Sequence, residues 1–403
     1  MDLLHELTRK ENNRVLRAIT DNSSIIPHRV WTVLYPIYRV QVQTYERHAD
    51  TFEDLELFIE RAIGHTALHS VAELQAFFQL TSEQIEQVLN TLQASTHIEY
   101  HKDRVVLTEL GWESLRDGRR YEERVGKQVL LFDGFTCRPL PKAMYQARRT
   151  QPGALDVEKY SDNHQVQVLF SFDPWHDDEL KALAQRPDRH AYNIPDEVQS
   201  LEQQWVQRAY LPMHITEVFT IEGHPNLYVY LIDNRLYKHN QPFFVDLFRD
   251  HPEIMEPLYT QALPDTQTIQ RVLGTHHDIQ NIVTDSRGTW RVYLSDSWYH
   301  QSTSCAVSQL IRLGDYRIVD TMCVQLWSAN TTVRNAAAAL KVATWLNTSS
   351  ARSEQAIMNR AREIATHVEV PIPTLSAILK SATQYDQMEA QKVLQEYVDS
   401  VDT

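Results

Sequence analysis

Residues 70–92 read SVAELQAFFQLTSEQIEQVLNTL, and two short helices in tandem follow from them. Ser70 and Glu73 stand three apart, as do Thr81 and Gln84. At that spacing a cap hydroxyl takes the backbone amide three residues on, while the longer side chain returns to the cap's own amide. Each such box opens a helix. The first is expected to run to Phe78, and the second carries Ile85, Val88, Leu89 and Leu92 along one side at helical spacing. Gln79 and Leu80 leave room only for a tight turn.

The pattern extends in both directions. Upstream, Leu55, Leu57, Phe58, Ala62 and Ile63 suit one face of a helix that Gly64 ends. Downstream, 98–100 and 105–107 are β-prone and flank His101 to Arg104, a hairpin length. Thr108 then caps another helix to Gly118. This order over residues 53–118 resembles the winged helix-turn-helix superfamily, in particular bacterial winged-helix domains, with Leu107, Thr108 and Gly111 as signature-like positions at the hairpin exit. The resemblance implies a fold but no single job, because winged helices bind DNA, RNA and proteins alike.

In such a fold the helix from Thr81 is the one that reads bases. Its solvent side offers Ser82, Glu83, Glu86, Gln87, Asn90, Thr91 and Gln93. Gln87 and Asn90 suit adenine edges in a major groove, but Glu83 and Glu86 repel the phosphates that supply most non-specific affinity. Lys102 and Arg104 at the hairpin tip oppose that repulsion. The stretch 116–149 adds Arg116, Arg119, Arg120, Arg124, Lys127, Arg138, Lys142, Arg148 and Arg149 against four acids. If the helix runs on past Asp117, some of these reach a nucleic-acid backbone or an acidic protein. Otherwise they form a solvated face paired locally with Glu122 and Glu123. A DNA interface would therefore use Gln87, Asn90, Lys102, Arg104, Arg116, Arg119, Arg120, Arg124 and Lys127. Protein docking is the preferred use, since positive charge is absent where bases would be read.

The whole chain has 403 residues and a formal charge of −14, with 19 basic against 21 acidic residues up to position 150 and 20 against 32 beyond it. That length implies several domains. The acidity of the later part argues against sequence-blind nucleic-acid binding by the whole molecule. Cys137, Cys305 and Cys323 are too few and scattered for a disulfide framework or a zinc knuckle. The first ten residues mix charges with leucines, and no apolar run reaches membrane length, so a cytoplasmic setting without membrane partners is expected.

Residues 1–52 are expected as a helical arm. Leu3, Leu4, Leu7, Val15, Leu16 and Ile19 form its first helix, and Val30, Trp31, Leu34, Ile37, Tyr38, Val40 and Tyr45 a second, kinked or divided at Pro36. This aromatic stripe reads as core, with homodimerisation the alternative. Residues 126–330 read as a mainly antiparallel α+β domain: strands at 129–132, 166–172, 214–221, 227–232, 289–294, 305–313 and 316–326, with a helix at 195–210. Residues 331–403 return to helix, beginning with Ala336 to Ala339. The expected fold class is α+β multidomain: arm, winged helix (53–125), central domain and C-terminal helices.

No glycine-rich phosphate or dinucleotide loop, zinc-helix motif or nucleophile elbow is present, and no cofactor is implied. Weak metal candidates are His276, His277 and Asp278, followed by Asp285, with a second group at His176, Asp177, Asp178 and Glu179. Sequence neighbours rarely converge on one ion, so solvated turns are expected at both. His300 and Cys305 suggest a base and nucleophile, but a buried structural cysteine is the simpler account. The leading expectation is a non-enzymatic adaptor or scaffold in a cytoplasmic assembly, set in nucleic-acid handling or antiviral defence. A DNA-binding regulator comes second, and a hydrolase or nuclease with its site in the α+β domain third.

Overall fold

Ile25–Asp50 is one extended strand, β1, where the second helix of an arm was expected. The computed structural model describes residues 15–16, 19–20, 25–146, 167–169, 174–220, 222–231, 241–274, 278–285, 288–296, 309–350 and 353–401. Up to residue 52, only 15–16 and 19–20 are helical among the described residues, so the second helix of the arm is corrected, while the other residues expected in its first lie outside the described ones. The apolar residues from Val30 to Tyr38 are buried on both faces of the strand and carry no period that separates strand from helix. Beyond them burial alternates, with Val40, Val42 and Thr44 inward and Arg39, Gln41 and Gln43 partly exposed.

The chain divides into two units, one of Pro36–Gln146 and Ser171–Ala209, the other of Met1–Tyr35, Ala147–Phe170 and Tyr210–Thr403. The linear partition at 52, 125 and 330 does not coincide with this division. β1 contributes residues to both units.

In the first unit, α1 (Asp54–His65), α2 (Val71–Phe78) and α3 (Ser82–Ala94) are followed by β2 (Ile98–His101), β3 (Arg104–Leu107), α4 (Glu109–Asp117) and β4 (Arg120–Asp133). Both capping boxes are formed: Ser70 with Glu73 and Thr81 with Gln84 exchange backbone and side-chain hydrogen bonds. Ile59, Ile63, Leu74, Ile85, Leu89, Leu92, Ile98 and Val105 make the core of this region, each stabilising it by roughly 1.5–3 kcal/mol. α4 ends at Gly118, whose φ of 65° is left-handed, so the helix does not run past Asp117. The chain instead turns into β4, which pairs antiparallel with β1 from Ile37↔Asp133 to Asp50↔Arg120.

A short strand, β5 (Gln167–Val168), and a helix, α5 (Asp177–Ala184), precede β6 (Val198–Thr220). The helix expected at 195–210 is thus a correction. Its Glu-Gln-Gln run favours helix locally, but strand pairing overrides that preference: β6 is the neighbour of β1, and Arg47 N donates to Glu197 O at 2.8 Å.

In the second unit β6 pairs antiparallel with β7 (Pro225–Leu231), from Met213↔Leu231 to Phe219↔Pro225. The helices α6 (Pro242–Asp250), α7 (Glu256–Tyr259) and α8 (Thr266–Leu273) precede β8 (Ile279–Thr284) and β9 (Trp290–Leu294). The expected strand at 316–326 is two, β10 (Tyr316–Val319) and β11 (Met322–Trp327), joined through Asp320 at a φ of 54°. The strand expected at 305–313 is not formed at 309–313, which is helical and then turn; its earlier residues lie outside the described ones. Strand order is β7-β6-β1-β11-β9-β8; β11 with β9 and β1 with β5 pair in parallel, whereas β1 with β11, β10 with β11, β6 with β7 and β8 with β9 pair antiparallel.

The C-terminal helices α9 (Thr331–Thr348), α10 (Glu354–His367), α11 (Leu375–Gln384) and α12 (Met388–Val401) pack through Ala338, Val342, Leu346, Ile357, Ile378 and Leu394. Asn330, Ser353 and Thr374 cap the first three. The chain is therefore mixed α and β with C-terminal helices. No helix among the described residues is long and apolar enough to cross a membrane.

Candidate functional site

Helix α3 buries Ile85, Leu89 and Leu92 and turns its other side outward because of the 3.6-residue period. That outer side and the start of β4 enclose a groove of about 620 Å³, lined by Glu83, Glu86, Gln87, Asn90, Thr91, Ala94, Ser95, Arg120 and Glu122. Three carboxylates stand there against one guanidinium. Arg120 Nη1 lies 3.7 Å from Glu56 Oε2, a carboxylate almost without exposure. Arg124 Nη2 reaches Glu122 at 2.9 Å, and this contact holds the Glu122 carboxyl below its ordinary range. Ser82 Oγ donates to Glu86 at 3.3 Å.

The residues expected to hold nucleic acid do not gather in one place. Gln87, Asn90 and Arg120 share the groove. Lys102, with a φ of 60°, and Arg104 are exposed at the tip of the β2–β3 hairpin. Arg116, bonded to Asp117 at 3.2 Å, and exposed Arg119 stand at the end of α4. Arg124 and Lys127 lie on opposite faces of β4, three residues apart in a strand. Strand pairing sets acids or a neutral partner across from this run: Asp50 opposite Arg120, Glu46 opposite Arg124, Gln43 opposite Lys127. The basic segment is thus dispersed, with Arg116, Arg120 and Arg124 paired to Asp117, Glu56 and Glu122, and Arg148 and Arg149 lie outside the described residues.

Two further titratable residues, unnoticed in the sequence, are buried beside the groove. Glu60 and His97 have no exposed side-chain surface, and His97 Nδ1 is 3.0 Å from Glu60 Oε1. The signal was present: Glu56, Ile59, Glu60 and Ile63 fall on the buried stripe of α1, so two acids enter the core. His97 O accepts from Thr108 N at 2.9 Å and abuts Gly111, where an added Cβ would fall 2.2 Å from it.

The remaining candidates do not gather. Asp177 Oδ1 accepts from Trp175 Nε1 and Gln203 Nε2, and Asp178 pairs with Lys181; with Glu179 they occupy the first turn of α5, where the helix dipole favours acids. His276, His277, His300 and Cys305 lie outside the described residues. Asp296 accepts from Ser328 and Asn330. Among the described residues no three His, Cys, Asp or Glu are arranged to hold a metal ion.

In the second unit Arg291 forms a structural node. Nη2 lies 2.6 Å from Glu369 Oε1 and 3.2 Å from Asp285 Oδ2, Nε donates to Gln325, and the guanidinium stacks 3.9 Å over the Trp327 ring. It fastens the segment before α11 to β9.

No family model, curated protein or solved structure matches the chain.

Proposed function

We propose that residues 53–125 are a winged helix-turn-helix domain used to dock a protein, and that the chain is a non-enzymatic adaptor or scaffold of a cytoplasmic assembly. The observation that carries this reading is the groove. Its base-reading helix presents Glu83 and Glu86, β4 adds Glu122, and the guanidinium of Arg120 is drawn to Glu56. A phosphate backbone meets repulsion on such a surface, whereas a lysine- or arginine-rich protein segment finds complementary charge. Gln87, Asn90 and Thr91 supply neutral hydrogen-bonding groups between the acids.

A second reading, DNA held by the hairpin, is favoured by one observation: Lys102 and Arg104 stand exposed together at its tip. The two readings separate in one titration of the full chain against a basic peptide and against duplex DNA over a range of salt. Docking calls for peptide binding that Glu83→Lys with Glu86→Lys abolishes. Duplex binding that Lys102→Glu with Arg104→Glu abolishes selects the alternative.

A further inference from the structure

Both ring nitrogens of buried His97 face hydrogen-bond acceptors. Nδ1 is 3.0 Å from Glu60 Oε1, and Nε2 is 2.5 Å from the carbonyl oxygen of Tyr121 at the start of β4. A neutral imidazole carries one N–H. Nε2 is closer to this carbonyl than to the Ser114 hydroxyl at 3.4 Å, so two contacts with acceptors call for two hydrogens, one proton beyond an ionised glutamate and a neutral histidine. Either an imidazolium donates to both oxygens, or a protonated Glu60 donates to Nδ1 while Nε2–H donates to Tyr121.

The surroundings favour keeping that proton. Burial pushes the Glu60 carboxyl up. Burial alone pulls His97 down, but its bonds to Glu60 and the Tyr121 carbonyl outweigh this and leave it raised. The other charges acting on the pair are Glu56 from α1 and Arg120 from β4, which oppose each other 3.7 Å apart. Helix α4 contributes the neutral Ser114 hydroxyl, 3.4 Å from Nε2, and Phe52 sets its ring 5.9 Å from the imidazole. Glu60 Oε2 has no hydrogen-bond partner, so nothing else compensates a bare carboxylate there.

The pair sits where four elements meet. Glu60 belongs to α1, and His97 precedes the hairpin and touches Gly111 of α4. Ser114 of α4 accepts from Tyr121 N at 3.2 Å. Ser95 and Arg120, next but one to His97 and adjacent to Tyr121 in sequence, line the groove.

We propose that Glu60 and His97 form a single-proton lock: occupied, it holds α4 and the start of β4 on the three helices; emptied, it gives up one of its two contacts and frees the Arg120 side of the groove. The consequence for a docked partner rests on the protein-docking reading. The lock itself does not.

The test is urea unfolding of the full chain between pH 6 and 9. The unfolded chain releases its histidine proton above about 6.5, while the folded pair retains one. The lock's stabilisation is therefore fully present below about 6.5, and the folding equilibrium constant falls by up to about tenfold per pH unit above it. Glu60→Gln supplies the missing hydrogen permanently, because its amide donates to Nδ1 and leaves Nε2–H on Tyr121. E60Q is expected to flatten this limb and to exceed the wild type at the alkaline end. Equal slopes in the two proteins would overturn the lock. A second readout needs no unfolding: nitrogen shifts of His97 with the carboxyl carbon shift of Glu60 at pH 7 should show one proton on the pair, and a neutral imidazole beside an ionised Glu60 contradicts it. Failure of peptide binding would sink the docking reading while leaving both results standing.

Discussion

Arg120 Nη1 lies 3.7 Å from Glu56 Oε2, and Arg120 is the sole basic residue among those lining the groove. Its charge is thereby shared with the interior of the first unit, and Glu83, Glu86 and Glu122 set the character of the opening. Replacing Arg120 with alanine leaves Glu56, almost without exposure, short of its cation. We expect a stability loss of about 1–3 kcal/mol, read as a lower urea midpoint, together with tighter binding of a basic peptide by fluorescence anisotropy. Weaker peptide binding by the folded variant would mean that Arg120 itself contacts the partner.

Among the described glycines of the first unit, Gly111 has the closest backbone approach, with an added Cβ falling 2.2 Å from His97 O. Backbone cannot yield as a flexible side chain does, so Gly111→Ala should displace α4 at a cost of roughly 1–3 kcal/mol or more. Calorimetry of the variant checks this. An unchanged melting temperature would mean that α4 is seated differently.

Arg291 is a tenth exposed and paired to Glu369 and Asp285. Arg291→Ala takes the guanidinium from two carboxylates, one of them well buried, and removes the cation stacked on Trp327. A loss of about 3 kcal/mol or more is expected, with hydrogen exchange accelerating first in the segment between α10 and α11. Uniform acceleration across the second unit would instead assign Arg291 to its global core.

Acid sensitivity has its own source. His214 is fully buried, with Nδ1 3.1 Å from Thr32 Oγ1 and no hydrogen-bond partner for Nε2; burial pulls its pKa down to about 3. A depressed histidine binds its proton more readily unfolded, so its contribution is complete above about 6.5 and is lost as pH falls toward about 3. His367, lowered to about 4 first by burial and then by Lys341, acts in the same direction. In urea titrations from pH 7 to 4, His214→Leu should remove one proton's worth of slope, up to about tenfold in the folding constant per pH unit. An unaltered slope would move the acid lability elsewhere.

Local chemistry made the 54–117 region legible. Ser70, Thr81, Thr108 and Gly118 each declare a helix boundary by hydrogen bonds made within a few residues. Strands β1 and β6 were hidden for opposite reasons. The first half of β1 is apolar on both faces, so periodicity is mute there, though Val40, Gln41, Val42, Gln43 and Thr44 alternate in plain sight. β6 carries helix-favouring glutamates and glutamines, and only its partner strand, distant in sequence, decides the outcome. At the site, Gln87, Asn90, Glu83 and Glu86 were found on the expected side of α3. Whether the arginines after Asp117 share a surface was not legible, because β4 splits them between two faces and β1 brings acids beside them.

Protein docking turns on the sign of charge the groove accepts. A fluorescent lysine- and arginine-rich peptide, titrated with the full chain at physiological salt, should bind. The affinity should fall about tenfold or more with Glu83→Lys and Glu86→Lys together, without loss of stability beyond about 0.5 kcal/mol, since both residues are exposed. A duplex of equal charge should bind more weakly than the peptide and strengthen on the same reversal. Tight duplex binding by the wild type, indifferent to Glu83 and Glu86 and lost with Lys102 and Arg104, would contradict the docking reading.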